Sequence, residues 1–268
     1  MPDFEHVANF RDIGGHETLD GTRMRAGQIF RSGHLADATD RDLGLLEQLG
    51  IRVIVDLRDP SDLAANGENR LPARAELRRV AYPGDVPGGD IQALLATADR
   101  ATVEAAFPPG SAYALVVDSC SQWSRDEGRR AQLAEVIRCV LAAEGAVLIQ
   151  CSAGKDRTGF SAAVIQSSLG VPEEAVIADY LRSNEARTAH NARLLDALAS
   201  RGVARELLEP LLVLREDYIR VFLKAIDDDW GESTPMFFAG WASSRTNSTR
   251  CAGGCSTVDL VCGPCCSP

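Results

Sequence analysis

The sequence is short of lysine, of long apolar runs and of net positive charge. Lysine accounts for 2 of its 28 basic residues, Lys155 and Lys224, and the remainder are arginines. No apolar run approaches the roughly 20 residues that a bilayer-spanning helix needs, so we expect no membrane span. The net charge of −10 argues against nucleic acid as a partner, because proteins that bind it carry a broad basic face.

The first six residues are acidic and contain no apolar signal-peptide core. We therefore expect a cytoplasmic protein, or one exported by a route that the sequence does not reveal. An apolar content of 45% and a charged content of 25% are typical of a soluble globular enzyme. The length of 268 residues suits one medium-sized domain, which we place at residues 1–232.

Residues 233–268 differ in composition from the rest of the chain and are rich in Ser, Thr, Gly and Cys. We interpret them as a poorly ordered tail. The spacing of their cysteines matches no common zinc pattern and no histidine lies nearby, so we predict no metal site. Five of the eight cysteines lie in this tail: Cys251, Cys255, Cys262, Cys265 and Cys266.

Residues 150–159 (QCSAGKDRTG) join an apolar run over 146–150, typical of a buried strand, to a helix-like stretch over 160–169. A cysteine and an arginine spaced like Cys151 and Arg157 can line a pocket for a tetrahedral dianion, because loop N–H groups and the helix N-terminus point into it. Arg157 can hold two phosphate oxygens with its planar fork. The same positive field favours the thiolate form of Cys151, a nucleophile suited to phosphoryl transfer.

Helix-like and strand-like segments alternate along the first 150 residues. Thr39 is predicted to cap the N-terminus of a helix. A β-branched run over 51–57 has the length of a buried strand, and further strands are predicted over 77–81 and 146–150. This alternation predicts an α/β fold with a mostly parallel central sheet flanked by helices. Ligands of such sheets bind at the carboxyl ends of the strands, which is where Cys151 would lie.

Four motifs in a fixed order resemble those of a known family. The loop motif CSAGKDRTG is similar to the Cys-(five residues)-Arg-Thr signature of cysteine-dependent protein tyrosine phosphatases, and its Gly-Lys-Asp variant resembles the bacterial tyrosine-specific protein phosphatases. The flanking motifs lie at residues 9–15, 29–32 and 177–184. The resemblance implies the fold of that family, with a helical lid insertion at about residues 85–126. An ordinary surface insertion is the alternative, and the lid is preferred because the stretch directly precedes the helix and strand that lead into the site.

The resemblance also implies how the site works. Cys151 attacks the phosphorus to form a phosphocysteine, Arg157 and the loop N–H groups hold the equatorial oxygens, and water hydrolyses the intermediate. Thr158 hydrogen-bonds the sulfur. No cofactor or metal is expected, because backbone dipoles and Arg157 supply the positive field. The implied catalytic residues are Cys151, Asp156, Arg157, Thr158 and Asp85, and the implied substrate-binding residues are Ser152, Ala153, Gly154, Lys155 and Arg157.

Two carboxylates compete for the role of general acid. Asp156 lies in the loop itself and is preferred. Asp85 comes second, because an extra residue, Gly84, disturbs its match to the family. Lys155 adds a second cation, and since some lipid phosphatases carry a lysine at this loop position, we expect activity on phosphoinositides.

Other residues are predicted to support the site. Asn9, Arg11 and Asp12 are expected to brace the core, and Asp56 and Arg58 to form structural hydrogen bonds below the active site. The family usually has a histidine immediately before the nucleophile, where this chain has glutamine. An amide can donate a hydrogen bond but cannot carry positive charge, so we expect a smaller thiolate fraction than histidine would give.

The leading interpretation is a protein tyrosine phosphatase that also acts on phosphoserine, phosphothreonine and phosphoinositides. Its expected partners are phosphotyrosine proteins or peptides, and we expect a monomer. A rhodanese-like sulfurtransferase is the first alternative, and the long spacing from Cys151 to Arg157 and the Arg157–Thr158 pair argue against it. A non-catalytic phosphoprotein-binding module is the second, disfavoured because nucleophile, phosphate ligand and acid candidate are all present.

Overall fold

The computed structural model describes residues 2–82, 99–123, 125–230 and 260–262. Its strands are β1 (Arg11–Asp12), β2 (Arg23–Met24), β3 (Ile29–Ser32), β4 (Ile51–Asp56), β5 (Glu76–Arg79), β6 (Ala146–Gln150) and β7 (Val261–Cys262). Five of them form a central sheet in the order β1-β3-β6-β4-β5, in which only the edge strand β1 runs antiparallel to its neighbour. The predicted mostly parallel sheet is confirmed.

Helices surround this sheet. They are α1 (Asp40–Gln48), α2 (Pro60–Asn66), α3 (Arg100–Ala106), α4 (Ser111–Gln122), α5 (Glu127–Ala142), α6 (Asp156–Ser168), α7 (Glu173–Leu181), α8 (Ser183–Ser200), a 3-10 turn (Arg205–Leu207), α9 (Glu209–Leu212) and α10 (Glu216–Trp230). The hydroxyl of Thr39 accepts the backbone N–H of Asp42 at 3.1 Å and caps α1 as predicted.

Strand β6 lies at the centre of the sheet, and all five of its residues are buried. Successive side chains of a strand point to opposite faces. Val147 and Ile149 accordingly join the apolar cluster that contains Phe160 of α6, and Leu148 joins the cluster that contains Leu46 of α1. Helices therefore cover both faces, as the alternation of segments predicted.

Three strands end at the same level. Gln150, the last residue of β6, is in register with Ser32 of β3 and with Asp56 of β4. The chain therefore leaves the sheet between two parallel neighbours, and Cys151 follows at the carboxyl edge where ligands of such sheets bind.

The predicted helical insertion is described from residue 99 onward, apart from residue 124, and residues 85–98 lie outside the described residues. Val103 of α3 is buried in an apolar cluster with Leu198 of α8. Tyr113 of α4 donates its hydroxyl to Asp217 of α10 at 2.6 Å. This part of the insertion is thus packed on the C-terminal helices, and its closure over the pocket stays a prediction.

Of residues 233–268, only Leu260 and strand β7 are described. Strand β7 pairs antiparallel with β2, and the carbonyl of Leu260 accepts the N–H of Arg25 at 2.8 Å. None of the helices in the described ranges combines the length and the apolar character that crossing a bilayer requires. The same ranges contain no group of three His, Cys, Asp or Glu side chains arranged to hold a metal ion.

Candidate active site

Cys151 is buried at the end of β6 and is a free thiol. Helix α6 begins at Asp156, four residues earlier than predicted, because its first turn is polar and gives no apolar period. This start places Arg157 and Thr158 on the first helical turn. No side chain among the described residues caps this helix, so the N–H groups of its first turn remain directed toward the loop, where the positive end of the helix dipole favours an anion.

The carbonyls of the loop are held from outside. Asn9 donates its amide to the Gly154 carbonyl at 2.7 Å and to the Ala153 carbonyl at 3.3 Å. Arg31 donates to the carbonyls of Gly154 at 2.9 Å and Lys155 at 3.2 Å. In a planar trans peptide the N–H points away from the C=O. Fixing three successive carbonyls outward therefore turns the following N–H groups toward the interior of the loop.

A buried carboxylate organises these donors. Asp179 accepts from Arg11 at 2.8 Å and from Arg31 at 2.9 Å, and the Ser183 hydroxyl accepts from Arg11 at 3.1 Å. Burial raises the pKa of Asp179, but the two guanidinium groups outweigh burial and hold that pKa below its usual range. The predicted bracing role of Asn9 and Arg11 is confirmed. We call Asn9, Arg11, Arg31, Asp179 and Ser183 the loop brace.

Sequence reasoning placed Asp179 within a motif but gave it no role. The sequence could have predicted a role for Asp179, because an aspartate on an otherwise apolar helix face is buried only when it is paired with a cation. Asp56 and Arg58 are also a buried pair, joined at 2.9 Å, and the Asn69 amide donates to Asp56 at 2.9 Å. Their predicted structural role is confirmed.

Gly154 meets a backbone constraint that only glycine satisfies. Its φ is +64°, in the left-handed region. A Cβ at this position would lie 2.3 Å from the carbonyl carbon of Ser32. The loop can therefore approach β3 this closely only without a side chain at residue 154.

Asp62, which sequence reasoning missed, fixes the arginine of the loop. Its carboxylate accepts from Arg157 Nη1 at 2.5 Å and Nη2 at 3.0 Å, and from the Ser152 hydroxyl at 2.5 Å. Burial raises the pKa of Asp62, but Arg157, the Ser152 hydroxyl and the Asp59 backbone together lower it, and the net pKa lies below the usual value. The sequence feature that could have identified Asp62 is a capping box. Asp59 and Asp62 cap the start of α2 reciprocally, which holds the Asp62 carboxylate in place.

Lys155 does not face the same space as Arg157. Its ammonium is buried and donates to the carbonyls of Leu211 at 2.8 Å and Leu212 at 3.3 Å, and it lies 3.4 Å from the Asp156 carboxylate. These carbonyls belong to the last turn of α9, where helix carbonyls lack partners and attract cations. The expected second cation beside Arg157 is thus engaged by the backbone here, and its contact with substrate stays a prediction.

Two polar side chains beside the nucleophile are buried without hydrogen-bond partners in the described part of the chain, the Thr158 hydroxyl and the Gln150 amide. The predicted bond from Thr158 to the Cys151 sulfur is therefore not formed in this structure. The Gln150 amide likewise makes none of the hydrogen bonds that it could donate. A buried amide left unpaired costs about 1–3 kcal/mol.

The two acid candidates differ in what the structure says of them. Asp156 opens α6 with its side chain 40% exposed, at the mouth of the loop. Asp85 lies outside the described residues. The last described residue before it is Tyr82, whose carbonyl lies 3.4 Å from Arg157 Nη1.

Replacing Asp179 with asparagine should destabilise the protein by about 3–5 kcal/mol at pH 7, because two buried guanidinium groups lose their counter-charge. Folding lowers the pKa of Asp179, so its stabilising contribution is present above the ordinary carboxyl value of about 4 and is lost as pH falls through the folded value. Urea unfolding from pH 7 downward should show the difference from wild type shrinking. Asp40→Asn, in an exposed pair with Arg70, is the control. A difference independent of pH would contradict this role for Asp179.

Gly154→Ala should lower kcat/KM on an aryl phosphate by about 100-fold or more, the loss that follows removal of one oxyanion-binding donor. The added methyl group forces the loop away from β3 and turns its N–H groups out of the pocket. Steady-state hydrolysis of para-nitrophenyl phosphate measures the loss. Gly44→Ala, on α1 with open space around it, is the matched control and should keep wild-type turnover. Equal activity of the two variants would refute the loop geometry.

Comparison with known proteins agrees with the geometry. The model of the tyrosine phosphatase family matches residues 2–246. A Cupriavidus necator protein named as a tyrosine-protein phosphatase is 32% identical over 232 residues, covering 85% of this chain and 79% of that protein. The triple specificity protein phosphatase PtpB of Mycobacterium tuberculosis is 28% identical over 253 residues, covering 83% of this chain and 87% of that protein.

Among solved structures, the catalytic core of the PP-IP phosphatase Siw14 from S. cerevisiae is 15% identical, covers 79% of this chain and 91% of that chain, and superposes with a TM-score of 0.30. The family assignment does not depend on that likeness. It follows from the family match over most of the sequence and from the Cupriavidus relative. The chain belongs to the tyrosine phosphatase family, as its loop motif predicted.

Proposed function

We propose that the protein hydrolyses phosphomonoesters through a phosphocysteine intermediate, with phosphotyrosine as its first substrate. The observation that carries the proposal is the placement of Cys151 under a loop whose N–H groups are turned inward by the loop brace. Such preorganised donors stabilise charge on the equatorial oxygens without reorganising during the reaction.

The thiolate of Cys151 attacks phosphorus, an S–P bond forms, and the P–O bond to the leaving group breaks while a carboxylic acid gives its proton to the departing oxygen. Water then attacks the phosphocysteine and gives a proton to the carboxylate left by the first step, the S–P bond breaks, and inorganic phosphate leaves with the thiolate and the carboxylic acid restored. Arg157, oriented by its contact with Asp62, would hold phosphoryl oxygens with its planar guanidinium.

Within this mechanism Asp156 is the preferred acid and Asp85 the second. Exposure at the first turn of α6 supports Asp156, because the acid must reach a leaving group outside the loop. Ser152, Ala153, Gly154 and Lys155 contribute the backbone of the phosphate cradle.

The substrate range is the second part of the proposal. The Mycobacterium relative is named for triple specificity, which supports activity here on phosphoserine, phosphothreonine and phosphoinositides beside phosphotyrosine. We further propose that the protein acts as a monomer on phosphorylated proteins and lipids of the cytoplasm. The electric field needed for the chemistry comes from Arg157 and the backbone dipoles.

A substrate panel tests the proposal. Wild type should hydrolyse para-nitrophenyl phosphate and a phosphotyrosine peptide, and Cys151→Ser should lose this activity by about 10⁴-fold or more, since no other nucleophile replaces the thiolate. Mass spectrometry of the quenched wild-type enzyme should find phosphate on Cys151. Cys139→Ser, on the partly buried α5 thiol, is the matched control.

The same panel separates the two acids. Loss of the acid should slow an alkyl phosphate much more than an aryl phosphate, because the poorer leaving group depends more on protonation. Asp156→Asn is expected to show this pattern and Asp85→Asn a smaller one. The reverse result would exchange their roles, and full activity of Cys151→Ser would reject the mechanism.

A further inference from the structure

We propose that Arg187 of α8 binds a second phosphate group of the substrate, so that the enzyme favours ring substrates with two phosphates over those with one. The proposal rests on the phosphomonoesterase function above. Arg187 lies 28 residues beyond the end of the loop motif at residue 159, and no motif in the sequence pointed to it.

The side of α8 that carries Ser183, Arg187 and Asn191 faces the loop. Ser183, Arg187 and Asn191 are spaced by four residues, so their side chains lie on one side of the helix. Ser183 is a member of the loop brace and accepts from Arg31 at 3.4 Å, the same guanidinium that holds the Gly154 carbonyl. The helix is thereby joined to the loop one turn before Arg187.

Asn191, at the other end of this row of residues, is also joined to the loop, through the Leu212 carbonyl. Asn191 donates its amide to the Leu212 carbonyl at 2.9 Å. That carbonyl also accepts from the ammonium of Lys155, a residue of the loop, at 3.3 Å. Arg187 lies between these two attachments and is therefore positioned beside the loop, on the side of α8 rather than of α2.

Electrostatic effects agree with this position. Burial lowers the pKa of Arg187, while the negative groups Asp156 and Cys151 raise it. The pKa of His34, next to the loop on the β3 side, is lowered first by burial, and Arg187 is among the cations that contribute. Arg187 therefore lies near Cys151, near Asp156 at the start of α6 and near His34.

Arg187 is partly buried, and its guanidinium forms no ion pair or hydrogen bond within the described residues. Other cations near the loop are engaged: Arg157 with Asp62, Arg31 with Asp179, and Lys155 with backbone carbonyls. A guanidinium that keeps its donors while partly withdrawn from water favours an anionic ligand.

The geometry favours a second anion over the scissile phosphate itself. The reacting phosphoryl group is enclosed by the loop N–H groups and by Arg157, which is fixed from the α2 side by Asp62. Arg187 belongs to α8, which is joined to the loop through Ser183 and Asn191 and not through Asp62, so we assign it a group that emerges from the loop. A second phosphate on the same inositol ring has the right chemistry, since an arginine fork matches phosphate oxygens.

The test compares kcat and KM of wild type, Arg187→Gln, Arg187→Lys and the control Arg193→Gln, whose arginine is exposed on the same helix. The probes are para-nitrophenyl phosphate, water-soluble short-chain phosphatidylinositol mono- and bisphosphates, and a phosphotyrosine peptide with acidic neighbours. Arg187→Gln should lower kcat/KM for the bisphosphate about tenfold more than for the two monophosphates, mainly through KM, because a charge-assisted contact to the second phosphate is lost. Arg187→Lys should recover part of the loss, and Arg193→Gln should match wild type throughout.

Three outcomes would overturn the proposal: an equal loss on all probes, which a structural role predicts; no loss on any; or a selective loss only for a phosphotyrosine peptide with acidic neighbours, which would make the second group a peptide carboxylate. If wild type hydrolyses none of the probes, the phosphatase proposal itself fails. Binding of the soluble bisphosphate to Cys151→Ser, with and without Arg187→Gln, then still decides the role of Arg187. Binding of the same variants to anionic vesicles without phosphoinositide is measured as the control for nonspecific electrostatic attraction.

Discussion

The carbonyl of Gly154 is the point on which the site depends. Asn9 and Arg31 hold it outward, and a peptide plane that turns its C=O out turns its N–H in. The donors come from the opening segment and from β3, more than 120 positions away along the chain. Since Arg31 is itself held by the buried Asp179, the phosphate cradle forms only when the N-terminal strands, the loop and α7 have assembled. Fold stability and phosphate binding are therefore coupled through one small group of hydrogen bonds.

Asp62 supplies the second constraint. A free arginine side chain loses considerable rotamer entropy when it grips a ligand. Here the bidentate contact with Asp62 restricts Arg157 before any substrate arrives, and the Ser152 contact ties the same carboxylate to the loop. The carboxylate also balances the charge of the guanidinium. Such preorganisation directs binding energy to the transition state, where the charge on the phosphoryl oxygens shifts.

Features governed by neighbouring residues were predictable from the sequence. Strand β6 has the predicted bounds because β-branched and apolar residues run without interruption to the loop, and Thr39 caps α1 because its partner Asp42 is three residues away. Contacts between distant segments were not. Nothing local shows that Lys155 meets the end of α9, that Asp62 meets Arg157, or that the brace closes on Asp179. The start of α6 was placed too late for a local reason, since its polar first turn serves the anion rather than the core.

The central claim is that outward carbonyls create the anion site, and oxyanion binding tests it most directly. Tungstate titrated into Cys151→Ser, and into the double variant that adds Asn9→Ala, separates anion binding from the chemical step. Loss of the Asn9 amide leaves the Gly154 carbonyl held by Arg31 alone and should weaken tungstate binding about tenfold or more, as expected when a charge-assisted N–H contact to the anion is lost. Equal affinity of the two proteins, both folded by thermal melting, would contradict the account.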